Sequence, residues 1–335
     1  MKTKRMWLIS LATVLIALLV WYVKPGLYVH AKTPLEANVT TPNENPDELN
    51  FEVISDPHIS HSDTATQDKF KRVLGDIEKA APHSDLLVMN GDLSNGFPED
   101  YNTITKLLAE TPHPPLEVTI GNHEFYKAFY DASETMNKSA FPNGDTDAKA
   151  LGRFLDFAGR KTVYTERVIK GFHFLFLGSE KSRMSDPSYL DDAYLSDTQL
   201  NWLQGKLQAA PSDKPTFVFL HQPLPYTVSG TARQGWNRTV IQHEELKKIL
   251  SAHPNVIFFS GHTHINLDRP TTFFQDGFLM VNESSAGRPY NPDGQVRPDS
   301  EGMFVEVKNG TVTLRGRDFT GKWIPGSVHT WKPAN

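Results

Sequence analysis

The 335-residue sequence predicts a layered α/β domain, and three observations carry that prediction. Short, mainly apolar runs of four or five residues recur along the chain, the mark of buried strands. Segments with helical spacing of apolar residues lie among them. Successive runs end in Asp, Asn or His, several beside a glycine.

The strand runs are 51–55, 86–90, 116–120, 216–220 and 256–260. Between the first two, Phe70, Val73, Leu74 and Ile77 stand at i, i+3, i+4 and i+7, one face of a helix. Ser196 and Gln199 form a capping box ahead of Leu200, Leu203 and Leu207. A third helical face carries Ile241, Leu246, Ile249 and Leu250. Runs 162–168 and 172–178 flank Lys170-Gly171, and 302–307 and 311–317 flank Asn309-Gly310, so both pairs read as hairpins. Segments 125–160, 180–195 and 222–236 hold Pro, Gly and Asp without clear period and are expected as long loops. With no internal repeat, 51–335 reads as one domain with insertions.

The N-terminus is of another kind. Lys2, Lys4 and Arg5 precede an apolar run, 6–23, free of charge, Pro and Gly. At ~1.5 Å per residue it spans roughly 27 Å, against a hydrocarbon core of ~30 Å. Trp7, Trp21 and Tyr22 stand near its ends, where an interfacial aromatic belt would place them. Residues 1–31 are therefore expected as a single-pass anchor in the cell membrane, or as a signal removed after Val29-His30-Ala31. Both put the remainder outside the cytoplasm, since positive charge stays inside. Residues 32–50, rich in Thr, Pro, Asn and Glu, read as a flexible linker.

Composition narrows the chemistry. The chain has no cysteine, which excludes disulfide scaffolds, thiol nucleophiles and thiolate-held metals. Net charge is −5, and −9 without residues 1–31. No basic stripe with interleaved aromatics stands out, which argues against a nucleic-acid partner.

The strand ends carry the chemistry. They read Asp56-Pro57-His58, Gly91-Asp92, Gly121-Asn122-His123-Glu124, His221 and Gly261-His262-Thr263-His264. Each fragment alone is a common turn or a hydrogen-bonded histidine. Together they bring Asp56, His58, Asp92, Asn122, His221, His262 and His264 to the carboxyl edge of a sheet, where open α/β folds bind ligands. Seven donors exceed what one ion needs and suit two divalent cations sharing a carboxylate. Nitrogen and oxygen donors without sulfur favour Mn, Fe or Zn. Such a pair brings the pKa of a coordinated water toward ~7, and its natural electrophile is a phosphorus ester.

The ordered string D-x-H, G-D, G-N-H-[DE], H and G-H-x-H resembles the calcineurin-like metallophosphoesterase superfamily, over nearly all of 51–335. The resemblance implies a two-sheet sandwich flanked by helices with a dinuclear site at the strand ends. It implies that Asp56, His58 and His264 hold one metal, that Asn122, His221 and His262 hold the other, and that Asp92 bridges them. His123 would protonate the leaving group or stabilise the phosphoryl charge, and Glu124 would orient that imidazole. Gly91–Gly96 reads GDLSNG, without the arginine of the protein Ser/Thr phosphatases. The GDL and GHTH strings are closest to the compact single-domain group that includes cyclic-nucleotide phosphodiesterases.

The expected activity is hydrolysis of a small phosphomonoester or phosphodiester. A nuclease and a non-catalytic phosphate-binding module are the alternatives. Asn95 and Arg288 are candidate substrate contacts, and Tyr226, Arg233 and Trp236 fall where a lid would lie. His61, Ser62 and Asp63 are expected to cap the Phe70 helix rather than to line the pocket. His83, His113, His173, His243, His253 and His329 are expected at the surface. Oligomeric state has no signature in the sequence.

Overall fold

The structure is a computed structural model that describes residues 34–232 and 238–332. The expected anchor or signal, 1–31, lies outside the described residues, as do Arg233 and Trp236 of the expected lid. Among the described residues no helix is long and apolar enough to cross a membrane.

Two six-stranded sheets face each other. The first contains β1 (Glu48–Ile54), β2 (Leu86–Asn90), β3 (Leu116–Thr119), β10 (Glu301–Lys308), β11 (Thr311–Asp318) and β12 (Lys322–Trp331), in the order β12-β11-β10-β1-β2-β3. The second contains β4 (Thr165–Ile169), β5 (Phe172–Phe176), β6 (Thr216–Phe219), β7 (Val256–Ser260), β8 (Phe273–Asp276) and β9 (Phe278–Asn282), in the order β4-β5-β6-β7-β9-β8. Strands β1 to β3 run parallel, as do β5, β6, β7 and β9.

Three apolar layers hold this arrangement. Phe51 and Val53 of β1 meet Phe174, Phe217, Phe219 and Phe259 between the sheets, with ring centroids 4.8 Å apart for Phe51 and Phe217. Each such ring, fully buried, contributes on the order of 1.5–3 kcal/mol. The outer face of the first sheet packs on α1 (Thr64–Ala80), α2 (Pro98–Glu110) and α3 (Asp147–Ala158) through Phe70, Ile77, Ile104 and Phe154. That of the second packs on α4 (Asp197–Ala209) and α5 (His243–Ser251) through Leu200, Leu203, Leu246 and Leu250. The first two expected helical faces are the buried ones; of the third, Leu246 and Leu250 are buried, Ile249 is half-buried and Ile241 precedes α5. Asp63 caps α1 by accepting from Ala65 N–H at 2.9 Å.

The differences have local causes. Helix α3 lies inside an expected loop; Thr146 and Gly159, at φ 66°, cap it, but only Ala150, Phe154 and Phe157 mark its buried face. Both hairpin turns form as expected, with positive φ at Lys170, Gly171, Asn309 and Gly310. Strands β8 and β12 have no counterpart among the expected runs. The expected linker is partly docked: Leu35 is buried against the α1–α2 layer, and Thr40 N–H donates to His113 O at 2.8 Å. His113, expected at the surface, is fully buried beneath that segment.

Glu52 is the one carboxylate of β1 that faces the α1 side fully buried, and burial pushes it up from 4.5 to about 8. Folding therefore favours the protonated form, and stability falls as pH rises from about 4.5 to about 8. Glu52→Gln should flatten that slope and raise the melting temperature more at pH 8 than at pH 5, measured by thermal melts. Equal shifts at both values would refute the protonation account.

Candidate metal centre

The two sheets bring the carboxyl ends of β1, β2, β3, β6 and β7 to one edge, and the loops leaving them carry the seven predicted donors. Five of those donors hold left-handed backbone: Asp56 (φ 53°), His58 (46°), Asp92 (51°), His262 (65°) and His264 (56°). Such conformations cost ~1–3 kcal/mol each in non-glycine residues and gather at functional sites. Close packing leaves no slack around them. A β-carbon on Gly261 would sit 1.9 Å from Ser55 Oγ and 2.6 Å from Asp56 Oδ2.

The donors form two groups that share Asp92: Asp56, His58, Asp92 and His264 on one side, and Asp92, His221 and His262 on the other. Hydrogen bonds at the rear fix the rings. His264 Nδ1–H donates to Arg288 O at 2.8 Å, and His221 Nδ1–H donates to Asn90 O at 2.8 Å. Each ring then turns an Nε2 lone pair inward. There His264 Nε2 lies 3.2 Å from His58 Nε2 and 2.9 Å from Asp56 Oδ1, while His221 Nε2 lies 3.2 Å from Asp92 Oδ2. Asp56 Oδ1, Asn122 Oδ1 and His221 Nε2 are buried and make no hydrogen bond.

Acceptors that face one another without a donor are costly in a low-dielectric interior. A proton or a cation must sit among them. The protonation balance shows the same demand. Burial pulls the His221 imidazole down, yet Asp92 and Asp56 outweigh it and hold it up at about 10. Burial and the neighbouring His221 push His262 down to about 3. A buried set of carboxylate, amide and imidazole donors, two rings with carbonyl partners behind them, fits divalent cations.

His123 stands beside this set. Its N–H donates to Asp92 Oδ1 at 2.8 Å, and its Nδ1–H donates to Asn95 Oδ1 at 2.9 Å. The ring stacks on Tyr126 with centroids 3.8 Å apart, and Tyr126 Oη donates to Asp191 Oδ1 at 2.9 Å. Asp191 is itself buried and ion-paired with Arg183 and Arg238. Asn95, expected to contact substrate, lines the cavity over the set and also holds the His123 ring. Glu124, expected to orient that imidazole, makes no hydrogen bond to the ring. Its buried carboxylate accepts from the backbone N–H groups of Asp92 (3.1 Å), Leu93 (2.8 Å), Ser94 (3.2 Å) and Gly121 (2.6 Å), clamping the β2 and β3 loops together. Tyr126 and Asp191 had no sequence signal, because their contact spans 65 positions.

A cavity of about 970 Å³ opens over the set, lined by His58, Asp92, Asn122, His123, His262 and His264 among others. Arg288 lies on its wall; Tyr226, expected in a lid, is exposed and does not line it.

Residues 49–266 match the family model described as calcineurin-like phosphoesterase. A 3′,5′-cyclic-nucleotide phosphodiesterase of Nostoc is 28% identical over 221 residues, covering 63% of this chain and 70% of the relative. A dimetal phosphatase from Danio rerio is similar in structure with a TM-score of 0.60 at 13% identity, covering 85% of this chain and 99% of that one. GAP50, the anchor in the inner membrane complex of Plasmodium, is similar with a TM-score of 0.51 at 13% identity, covering 86% and 90%. At such identities the two structures speak for the fold alone.

Proposed function

The chain belongs to the calcineurin-like phosphoesterase family and is a hydrolase of phosphoric esters, and on that premise we propose that it cleaves a small phosphodiester at a centre of two divalent cations. The observation that carries the reading is the convergence of inward-facing acceptors, His58 Nε2, His264 Nε2 and Asp56 Oδ1 in one group and His221 Nε2 and Asp92 Oδ2 in the other. Similarity to a 3′,5′-cyclic-nucleotide phosphodiesterase is what supports a diester reading over a monoester one.

Asp56, His58 and His264 would hold one ion, Asn122, His221 and His262 the other, and Asp92 both. When bound, the ions supply Lewis-acid charge opposite the phosphoryl oxygens and acidify a coordinated water. The chain's own residues do the rest. Gly91, Gly121 and Gly261 let the loops approach closely enough to aim the donors. Asn95 and Tyr126 hold the His123 ring so that Nε2 faces the cavity. Burial pulls His123 below its ordinary value, so Nε2 takes up a proton only when an anionic phosphoryl group arrives beside it. That proton then goes to the departing alkoxide.

His123→Ala should retain bound metal and slow hydrolysis by about 10²–10⁴-fold for alkyl leaving groups. For p-nitrophenolate, which leaves without a proton, the loss should be much smaller. An equal loss across leaving groups would assign His123 to phosphoryl stabilisation instead. The assignment as a whole is tested on protein purified without chelator, by elemental analysis and by turnover of bis-p-nitrophenyl phosphate and p-nitrophenyl phosphate with Mn²⁺ and after EDTA. About two ions per chain, diester preference and loss with EDTA are expected. Turnover that survives complete metal removal would sink the reading.

We also propose that the domain acts outside the cytoplasmic membrane, on the strength of the basic residues ahead of the apolar run 6–23. Protease accessibility of the domain in intact cells tests this, and protection would reverse it.

A further inference from the structure

The cavity is larger than a phosphodiester group needs, and away from the metal-binding donors its wall carries more basic than acidic residues. Arg238, Arg269 and Arg288 line it, while Asp63 is the one acidic lining residue besides Asp92 among the described residues. This cationic wall belongs to a chain of net charge −5. The arginines are not equivalent. Arg238 is paired with the buried Asp191 at 3.4 Å. Arg269 donates through Nε to Asn266 Oδ1 at 3.0 Å, which fixes the fork and leaves its two terminal nitrogens for a ligand. Arg288 has no carboxylate partner among the described residues.

Arg288 is held firmly by its backbone. Its N–H donates to Ser285 Oγ at 2.7 Å, and its carbonyl accepts from His264 Nδ1 at 2.8 Å. Gly287 N–H donates to Asp56 O at 3.1 Å, and Lys69 Nζ donates to Gly287 O at 2.8 Å. Tyr290 N–H donates to His264 O at 2.7 Å, and Asn266 N–H to Tyr290 O at 3.0 Å, so the strip that carries Arg288 is joined to the one that carries Arg269. Lys69 lies near Arg288: burial, then Arg72 and Arg288, pull Lys69 below its ordinary value against the opposing charge of Asp299. A guanidinium near a second cation, with no carboxylate paired to it among the described residues, on a strip fixed beside a predicted metal-holding imidazole, is stabilised by an anion from outside.

Building on the phosphodiesterase reading, we propose that Arg288 and Arg269 bind a second anionic group of the substrate, apart from the phosphorus that is cleaved. The substrate class is thus a phosphodiester with a further phosphate or carboxylate on the retained portion. A guanidinium fork suits either group through paired N–H···O bonds.

The test uses the full chain with Mn²⁺ and two chromogenic diesters that differ in one group. These are thymidine 5′-(p-nitrophenyl phosphate) with a free 3′-hydroxyl, and the same ester with a 3′-phosphate. The expected result is a kcat/KM at least about tenfold higher for the phosphorylated ester, the scale of one charge-assisted contact. The ratio should fall toward one in Arg288→Gln with Arg269→Gln and decline with added salt. A ratio of one or less in the unaltered protein overturns the proposal, as does a high ratio that survives both substitutions. Turnover of neither ester by metal-loaded protein overturns the phosphodiesterase reading beneath it, a result distinct from turnover without preference.

Discussion

Asp92→Asn is expected to give a folded protein that has lost at least about a thousandfold in turnover and no longer takes up its full complement of metal. The substitution is nearly isosteric, but it removes the charge that faces His221. Asn Oδ1 would keep the bond from His123 N–H, now 2.8 Å, and Nδ2–H would point at His221 Nε2, 3.2 Å from the present Oδ2. With no metal bound, Asp92 helps to keep a proton on His221, so the new amide donor would face an imidazolium N–H. Without metal the variant should therefore melt below the unaltered protein. With Mn²⁺ it should lack the rise in melting temperature that ligand binding gives the unaltered chain, since binding to the native state alone adds stability as RT ln(1 + [L]/Kd). Elemental analysis, melts with and without Mn²⁺, and turnover of bis-p-nitrophenyl phosphate check each part. Retained turnover would remove Asp92 from the centre. Unchanged or raised stability without metal would mean that no proton bridges His221 and Asp92 in the metal-free chain.

The candidate donors were legible because each follows directly on a buried strand, where the apolar run announces the strand and the next residue announces the chemistry. Asp56, Asp92, Asn122, His221 and His262 all stand within a few residues of such a run. The sandwich itself was not legible from periodicity. Strands β8 and β9 bracket Gly277, at φ 77°, and β12 contains Pro325 and Gly326, which break the pattern a strand would show. Strand β1 starts three residues earlier than its apolar run, since pairing with β10 matches Glu48 to Lys308 and extends the ladder. Contacts that support the site from behind left no trace in the sequence. Asn95 meets His123 across 28 positions, and Arg288 meets His264 across 24, through a carbonyl that every residue type possesses.

Glu124 separates reading by adjacency from reading by structure, and its replacement has the second large expected effect. Standing next to His123, it invites the role of ring orienter. In that role Glu124→Ala would behave as a milder His123→Ala, sensitive to the leaving group and harmless to stability. The fold assigns it otherwise. Its carboxylate is fully buried and receives four backbone N–H groups, those of Asp92, Leu93, Ser94 and Gly121. Each donor left unmet in the interior costs ~1–3 kcal/mol, so Glu124→Ala should destabilise the domain by several kcal/mol. The β2 and β3 loops would lose their common clamp, and Asp92 and Asn122 would lose their aim. Weakened metal uptake, a lowered melting temperature and an equal loss for acidic and basic leaving groups should appear together. Glu124→Gln keeps one acceptor oxygen but turns an amide donor toward N–H groups, so it should recover only part of the stability. A Glu124→Ala protein that melts normally, binds metal fully and fails selectively with poor leaving groups would restore the orienting role. The clamp would then be incidental to the site.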